Sequence, residues 1–140
     1  MAIHPLRSTG LQSLNLTNTT AGTYTSDAIS IPMGASVIMT QAAFVRGGGG
    51  TTCDVFIQTS VDNGTSWIDI MQFAFATTTV TKISGVRPYI ALAANVTPGD
   101  GGLSDNTILD GCIGDRLRVK TVVVGTYSST STLDVDICIN

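Results

Sequence analysis

The sequence predicts an all-β protein from its composition, its alternating apolar and polar residues, and its regularly spaced turns. Glutamate is absent, lysine occurs twice, and serine plus threonine fill 33 of the 140 positions. Glutamate and lysine commonly fill exposed helix positions, whereas threonine, valine and isoleucine suit a pleated, half-buried surface. Short runs rich in Thr, Val and Ile, separated by Gly, Pro and Asn, are typical of an antiparallel sandwich.

We therefore expect one antiparallel β-sandwich domain of jelly-roll type over residues 23–140, long enough to bury a core without disulfides. Residues 1–22 are polar and without a sustained period, which predicts an extended N-terminal arm or a loosely attached first strand. About eight strands are expected, at residues 23–31, 36–46, 51–60, 67–76, 79–84, 89–93, 116–124 and 132–139.

Two irregular stretches separate these strands. The four glycines of residues 47–50 lack the Lys-Ser/Thr ending and the following helix of a phosphate-binding loop, so they predict a flexible hairpin tip. Residues 95–115 form the longest irregular segment. Loops of this length are uncommon unless they bind something or lie over the core.

The last two predicted strands alternate charged and apolar residues. Arg118 and Lys120 share one face of the first, and Asp134 and Asp136 share one face of the second. If the two strands form a hairpin, Arg118 lies opposite Asp136 and Lys120 lies opposite Asp134. Each such cross-strand pair would contribute roughly 0.2–1 kcal/mol and help to fix the register.

The three cysteines, Cys53, Cys112 and Cys138, occur without a Cys-x-x-Cys motif or a nearby histidine. A zinc site is therefore not predicted, and we expect reduced, mostly buried thiols. Cys138 lies on the charged face close to the C-terminus. It is the thiol that we expect to be exposed and able to cross-link to a neighbouring chain.

The stretch SVDNGTSW matches the Asp-box pattern at its defined positions, including Ser60, Asp62, Gly64 and Trp67. Asp62 can accept hydrogen bonds from turn amides, and Asn-Gly tolerates the positive φ of a hairpin turn. Trp67 can fold its ring over the turn. The pattern resembles the repeated boxes of sialidase propellers, which are structural turns, so we interpret it here as a hairpin staple.

The sequence predicts a protein without enzymatic activity and without catalytic residues. The single histidine, His4, lies in the mixed N-terminal segment, so no Ser-His-Asp arrangement can be argued. A glycosidase or other small hydrolase would need a pair of aspartates with divided roles. The candidates Asp54, Asp69, Asp134 and Asp136 all occupy alternating positions that are typical of a solvated strand face.

No cofactor or metal is predicted either. Asp100, Asp105 and Asp110 are spaced more widely than the ligands of a calcium loop. A net charge of −3 with few, scattered cations disfavours nucleic acid as a partner. No run approaches the roughly 18 apolar residues of a membrane span, and the N-terminus lacks the apolar core of a signal peptide, which indicates cytoplasmic synthesis.

The surface composition indicates a subunit of an assembly. Charged residues make up 12% of the chain, against about 25% in ordinary soluble domains. The exterior must therefore consist largely of Thr, Ser, Ala and Gly. Such a surface suits permanent contact with other subunits, and flat strands of this composition can extend a neighbour's sheet.

Two blocks carry a resemblance to a known class of protein. DVFIQTSVDNGTSWIDIMQFAF and GDRLRVKTVVVGTYSSTSTLDVDI together resemble small β-rich virion structural proteins of tailed bacteriophages. The resemblance implies a capsid decoration (cement) protein, or alternatively a neck or tail component, made in the bacterial host cytoplasm and located in the virion. It also implies the major capsid protein or other virion proteins as partners, and a homo-oligomer, with a trimer favoured.

A carbohydrate-binding β-sandwich module is the alternative of another class. Such modules stack exposed aromatic rings on sugars. The candidate rings are Trp67, Tyr24, Tyr89 and Tyr127, although aromatic residues make up only 6% of the chain. A glycan-binding protein would lose binding without unfolding when Trp67 is replaced by Ala.

Overall fold

The computed structural model describes residues 7–17, 21–87, 91–92 and 94–140, and its regular secondary structure is entirely β-strand. The predicted all-β class is therefore confirmed. In chain order the strands are β1 (Arg7–Asn15), β2 (Gly22–Thr25), β3 (Ile29–Ser30), β4 (Ile38–Val45), β5 (Gly48–Gly49), β6 (Thr52–Ser60), β7 (Ile68–Phe75), β8 (Val80–Val86), β9 (Arg116–Val124), β10 (Tyr127–Ser128) and β11 (Thr132–Ile139).

The strands form two main antiparallel sheets. Sheet A has the order β1-β11-β4-β8, and sheet B has the order β2-β9-β6-β7, with β3 also pairing with β9. The short strands β5 and β10 pair with each other. The arrangement is consistent with a β-sandwich and is not a barrel. It leaves β1 and β8 at the edges of sheet A, and β7 at one edge of sheet B.

The core lies between the sheets because most strands turn an apolar face inward. Burial alternates along β4 and β11, and the buried side chains of both sheets form one cluster. Phe44 of sheet A stacks on Phe75 of sheet B, with 5.0 Å between ring centroids. The buried Tyr127 meets Phe44 edge-on and donates to the carbonyl of Ala76 at 2.7 Å. Burial raises the pKa of Tyr127 to about 12.

The glycine run 47–50 is part of this packing, although we expected a flexible tip. Gly48 and Gly49 form β5 and pair with β10. A Cβ on Gly50 would overlap the Tyr127 ring, and the residue has a φ of 73°. Glycine is therefore required here for the ring to enter the core.

Most predicted strands match the observed ones closely, with two differences. The predicted strand 23–31 is divided into β2 and β3. Of the predicted strand 89–93, residues 91–92 are not in a strand and the others lie outside the described residues.

Residues 1–22 were expected to form an extended arm or a loosely attached first strand, and the described part of this segment contains a strand. Residues 7–15 form β1, which pairs with β11 along its length apart from one irregularity between Gly10 and Gln12. This part of the segment is an edge strand of sheet A. Residues 1–6 and 18–20 lie outside the described residues.

The predicted hairpin of β9 and β11 is wrong. These strands belong to different sheets, so Arg118 does not face Asp136 and Lys120 does not face Asp134. Residues 125–131 carry the chain from one sheet to the other. Alternation correctly predicted which face of each strand is buried, but it contains no information on which strand lies alongside.

Candidate interaction surface

The turn between β6 and β7 is held by the side chains of its Asp-box pattern. The Ser60 hydroxyl donates to Asp62 at 2.8 Å and accepts from the Gly64 amide at 2.8 Å. The Ser66 amide donates to the Asp62 carboxylate at 2.7 Å, and this bond is the largest cause of the lowered pKa of Asp62. Asn63 and Gly64 have φ values of 58° and 91°, as the turn requires.

The Trp67 ring lies beside this turn, with its Cζ2 3.6 Å from the position that a Cβ on Gly64 would take, and Arg118 packs against the ring. The guanidinium carbon of Arg118 is 4.1 Å from the ring centroid, and its Nε donates to Gln58 at 2.7 Å. The ring is half-buried. A cation held against an aromatic face contributes about 0.5–1 kcal/mol at exposed sites, so Trp67 acts here as a packing residue.

Arg118 and Lys120, which we predicted to pair with Asp136 and Asp134, both contact Asp100 instead. Its Oδ1 accepts from Lys120 at 2.9 Å and lies 3.4 Å from the Arg118 guanidinium. Gln58 also donates to this oxygen, at 2.8 Å. The bond from Gln58, followed by that from Lys120, lowers the pKa of Asp100.

Asp69 is buried, which corrects the expectation of a solvated position. Its side chain is only 4% exposed. Oδ2 accepts from the amides of Gly101, Gly102 and Leu103 at 2.8–3.1 Å. The Gln58 amide group donates to Oδ1 at 2.7 Å. Successive backbone N–H groups form a concave receptor for an anion, and here the anion is a side chain of the same protein.

Residues 99–109, which we call the covering loop, close the free edge of β7. The Asp69 amide donates to Gly99 at 3.0 Å, and the Gln72 amide donates to Thr107 at 3.0 Å. The Leu109 amide donates to Ile70 at 2.9 Å. The long segment predicted at 95–115 therefore lies over the sheet, as one of the two interpretations expected. Only the Gly-rich GDGG sequence within it hinted at an anion receptor.

The free edge of β8, one of the two edge strands of sheet A, is not closed by a loop in this way. Within the described part of the chain, β8 pairs only with β4, and no loop backbone bonds to its other side. A groove of about 340 Å³ runs along the strand, lined by Phe73, Lys82, Ile83, Ser84 and Asn106.

The outer face of β4 and β8 exposes three large apolar side chains, and the polar Gln41 and Thr81 lie between them. Ile83 is 63% exposed, and Met39 and Val45 are each 41% exposed. Met39 lies across Gly85, where a Cβ would overlap its sulfur. We call the outer face of β4 together with β8 the open face.

The acidic side chains of sheet A lie beside the open face, on β11. Asp134 and Asp136 are both exposed, and Ser13 donates to Asp134 at 2.6 Å. Cys138 lies on the same side of the strand and is half-buried. Its cross-linking to a neighbouring chain stays a prediction.

All three thiols are free, and the other two are buried. Burial raises the pKa of Cys53 to about 12, and it also raises that of Cys112.

The other candidate residues do not converge. Among the residues described, no three His, Cys, Asp or Glu side chains come close enough to hold a metal ion. A search of the same residues for a helix long and apolar enough to cross a membrane finds none. Of the candidate sugar-binding rings, Tyr127 is buried, Tyr24 is half-buried, and Tyr89 lies outside the described residues.

Comparison with known proteins gives no relative: no protein-family model, curated protein or solved structure matches this chain.

Proposed function

We propose that this chain is a non-enzymatic structural subunit of a virion, and specifically a capsid decoration (cement) protein of a tailed phage. The observation that carries the proposal is the open face, on which Met39 and Ile83 line one shallow pocket and Val45 is exposed further along β4. Large apolar side chains grouped and exposed on one face of a small domain favour a surface that another protein covers.

The distribution of charge supports the same proposal. Arg118 and Lys120 are engaged by Asp100, and Arg116 by Asn63 and Ser30. Lys82 is bonded to the carbonyl of Ala74. These cations hold the domain together and leave the open face without a charge on β4 or β8 pointing to solvent. Burial of such a face against a shell of protein leaves no charge unpaired.

We also propose that the sandwich is a jelly roll. Strands β1, β4, β8 and β11 share one sheet, while β2, β6, β7 and β9 share the other, so that the chain repeatedly crosses between sheets. This order supports two interlocked Greek keys, the arrangement common in viral capsid domains. The fold alone does not carry the function, because jelly rolls also occur in lectins.

The copy number of this chain in purified particles tests the proposal. Quantitative peptide mass spectrometry against the major capsid protein should give about one copy per capsid subunit for a decoration protein. A handful of copies would move the chain to the neck or tail. Absence from particles would overturn the virion proposal.

The cementing role has a separate test. Particles stripped of the chain by mild heat should break at lower temperature than intact ones, and the purified chain should restore the original value when added back. Equal heat resistance of stripped and intact particles would remove the cementing role.

A further inference from the structure

The geometry points to self-association of this chain through β8: two copies pair their β8 strands antiparallel about a twofold axis that passes beside Ile83. The two A sheets then join into one sheet of eight strands. This inference goes beyond the proposed function, since it concerns two copies of the chain in solution and requires no other virion protein.

The free side of β8 has the features of an edge that can accept another strand. An unpaired edge strand presents a row of free N–H and C=O groups, which protein folds usually protect with a loop, a proline, a bulge or an outward lysine. In the described part of the chain, no loop backbone bonds to this edge, which the covering loop reaches only through the Asn106 side chain. Seven residues pair with β4 without a register shift, so the strand also lacks a bulge.

Lys82 is the single charged residue of β8. An outward lysine would block strand addition by charge. The Lys82 ammonium instead turns back to donate to the Ala74 carbonyl at 2.6 Å and to Asn106 at 2.9 Å, and it lies over the Phe75 ring. The edge is therefore left without its protecting charge, and the groove beside it is open to an incoming strand.

Symmetry then fixes the register. In a twofold antiparallel pair, residues i and j of one copy oppose j and i of the other, so the axis must pass beside a residue that opposes itself. Val80–Val86 has Ile83 at its centre. Pairing about Ile83 uses the full strand, sets Thr81 opposite Gly85, and sets Lys82 opposite Ser84.

This register also suits the side chains. Ile83 is the most exposed apolar residue of the open face, and pairing buries it against its own copy. The two Lys82 side chains do not oppose each other, and each keeps its bonds within its own subunit. Directly opposed β-branched side chains stabilise a strand pair, whereas directly opposed like charges destabilise it.

The oligomeric state in solution is the first test. We expect a dimer by light scattering coupled to size exclusion. Ile83→Lys, which sets two ammonium groups across the axis, should weaken dimerisation by at least about tenfold. Val45→Lys is the matched control: it adds the same charge to the same face away from the axis, and should change the dissociation constant by less than about threefold.

A monomer at all accessible concentrations would overturn the inference, and so would a trimer, the state that the phage resemblance implies. A dimer that Ile83→Lys leaves intact would overturn it as well. Circular dichroism of each variant separates loss of pairing from loss of folding.

Cysteine cross-linking tests the register independently. In a Cys138→Ser background, Ile83→Cys should form a covalent dimer under mild oxidation, because opposed residues of an antiparallel pair have Cα atoms within disulfide range. Thr81→Cys is equally exposed and lies on the same face, but it would oppose Gly85 and should cross-link far less. Equal cross-linking of the two variants would exclude the proposed axis. None of these outcomes depends on whether the chain occurs in a virion, so failure here and failure of the virion proposal are distinguishable.

Discussion

β7 and β8 are consecutive strands that end different sheets on the same side of the molecule, but their free edges are treated in opposite ways. The β7 edge is closed by the covering loop, which bonds to the backbone of Asp69, Ile70 and Gln72. The β8 edge has no such cover among the described residues and exposes Ile83. Among the described residues, the long loop therefore bonds to the backbone of one edge and leaves the backbone of the neighbouring edge uncovered.

Side chains explain why the loop closes one edge and not the other. On β7, Asp69 accepts three loop amides, and the Gln72 carbonyl oxygen accepts from the Asn106 amide at 2.6 Å. These receptors hold a polar loop on the sheet. On β8 the single charged residue, Lys82, is turned toward β7. Closure of an edge therefore depends on polar receptors that point outward, in addition to the length of the loop.

The largest loss of stability is expected from replacing Asp69, the side chain that holds the covering loop on β7. Asp69→Ala leaves the amides of residues 101–103 without their acceptor and removes one of the two acceptors of the Gln58 amide group, which should lower the free energy of unfolding by about 2–4 kcal/mol. Urea unfolding measures the loss. Hydrogen exchange should show the Gln72 amide losing protection before the centre of β6.

Asp134→Ala is the control for that change, because Asp134 is exposed and bonds only to Ser13 among the contacts described. It should cost less than about 1 kcal/mol. Equal losses of unfolding free energy in the two variants would mean that Asp69 is not needed to hold the covering loop on β7.

The next largest loss of stability is expected from removing the contact that Lys82 of β8 makes with β7 and the covering loop. Lys82→Met keeps the apolar stem against Phe75 but loses the bonds to Ala74 and Asn106, which should cost about 1–2 kcal/mol. Thermal unfolding measures it. Arg87→Met, at the end of the same strand, removes an exposed ion pair with Asp110 and should cost less than about 0.5 kcal/mol. If the two variants lost equal stability, the Lys82 contact would not be a link between the edges.

The two edges also differ in how much of their structure could be predicted from the sequence. Local patterns succeeded in part: period-two alternation predicted the positions of β4, β6, β7, β8, β9 and β11, and the turn at Ser60–Trp67 is specified by residues within eight positions of one another. Non-local contacts failed. Nothing in the alternation of β9 indicated that Arg118 and Lys120 meet Asp100, and nothing around Asp69 indicated that it would be buried beneath amides 32 to 34 positions away.

Acid should weaken the covered edge before the open one. Bonds from Gln58 and Lys120 lower the pKa of Asp100, so the folded state prefers the ionised carboxylate. The stability that this preference contributes is complete above the ordinary aspartate pKa of about 3.9 and is lost as the pH falls through the lower folded value. The Asp100 side chain is 53% exposed, so solvent screening keeps the contribution below about 1 kcal/mol.

Asp100→Asn isolates this contribution. The variant should be less stable than the wild type at pH 6, and the difference in unfolding free energy should shrink as the pH falls below 4. Urea titrations at several pH values measure both. A difference that stays constant down to pH 2 would show that the charge of Asp100 does not contribute.

The smallest expected effect is a gain in stability. It comes from Asp54, a residue of β6 that is repelled by Asp105 of the covering loop. Burial, and then repulsion from Asp105 of the loop, raise the pKa of Asp54, while a bond from Gln72 partly offsets them. A raised folded value means that the stability from this group is complete below the ordinary pKa and is lost as the pH rises through the folded value. Ionisation of Asp54 therefore makes the folded state less stable than it is with the carboxyl protonated.

Asp54→Asn should consequently stabilise the protein at pH 7, by less than about 1 kcal/mol, and should give no gain at pH 3, where the wild-type carboxyl is protonated as well. The melting temperature at the two pH values measures this difference. Asp27→Asn removes the same charge from an exposed position and should leave the melting temperature unchanged. Stabilisation by Asp54→Asn that is equal at both pH values would assign the effect to packing and would leave the covering loop without an electrostatic cost.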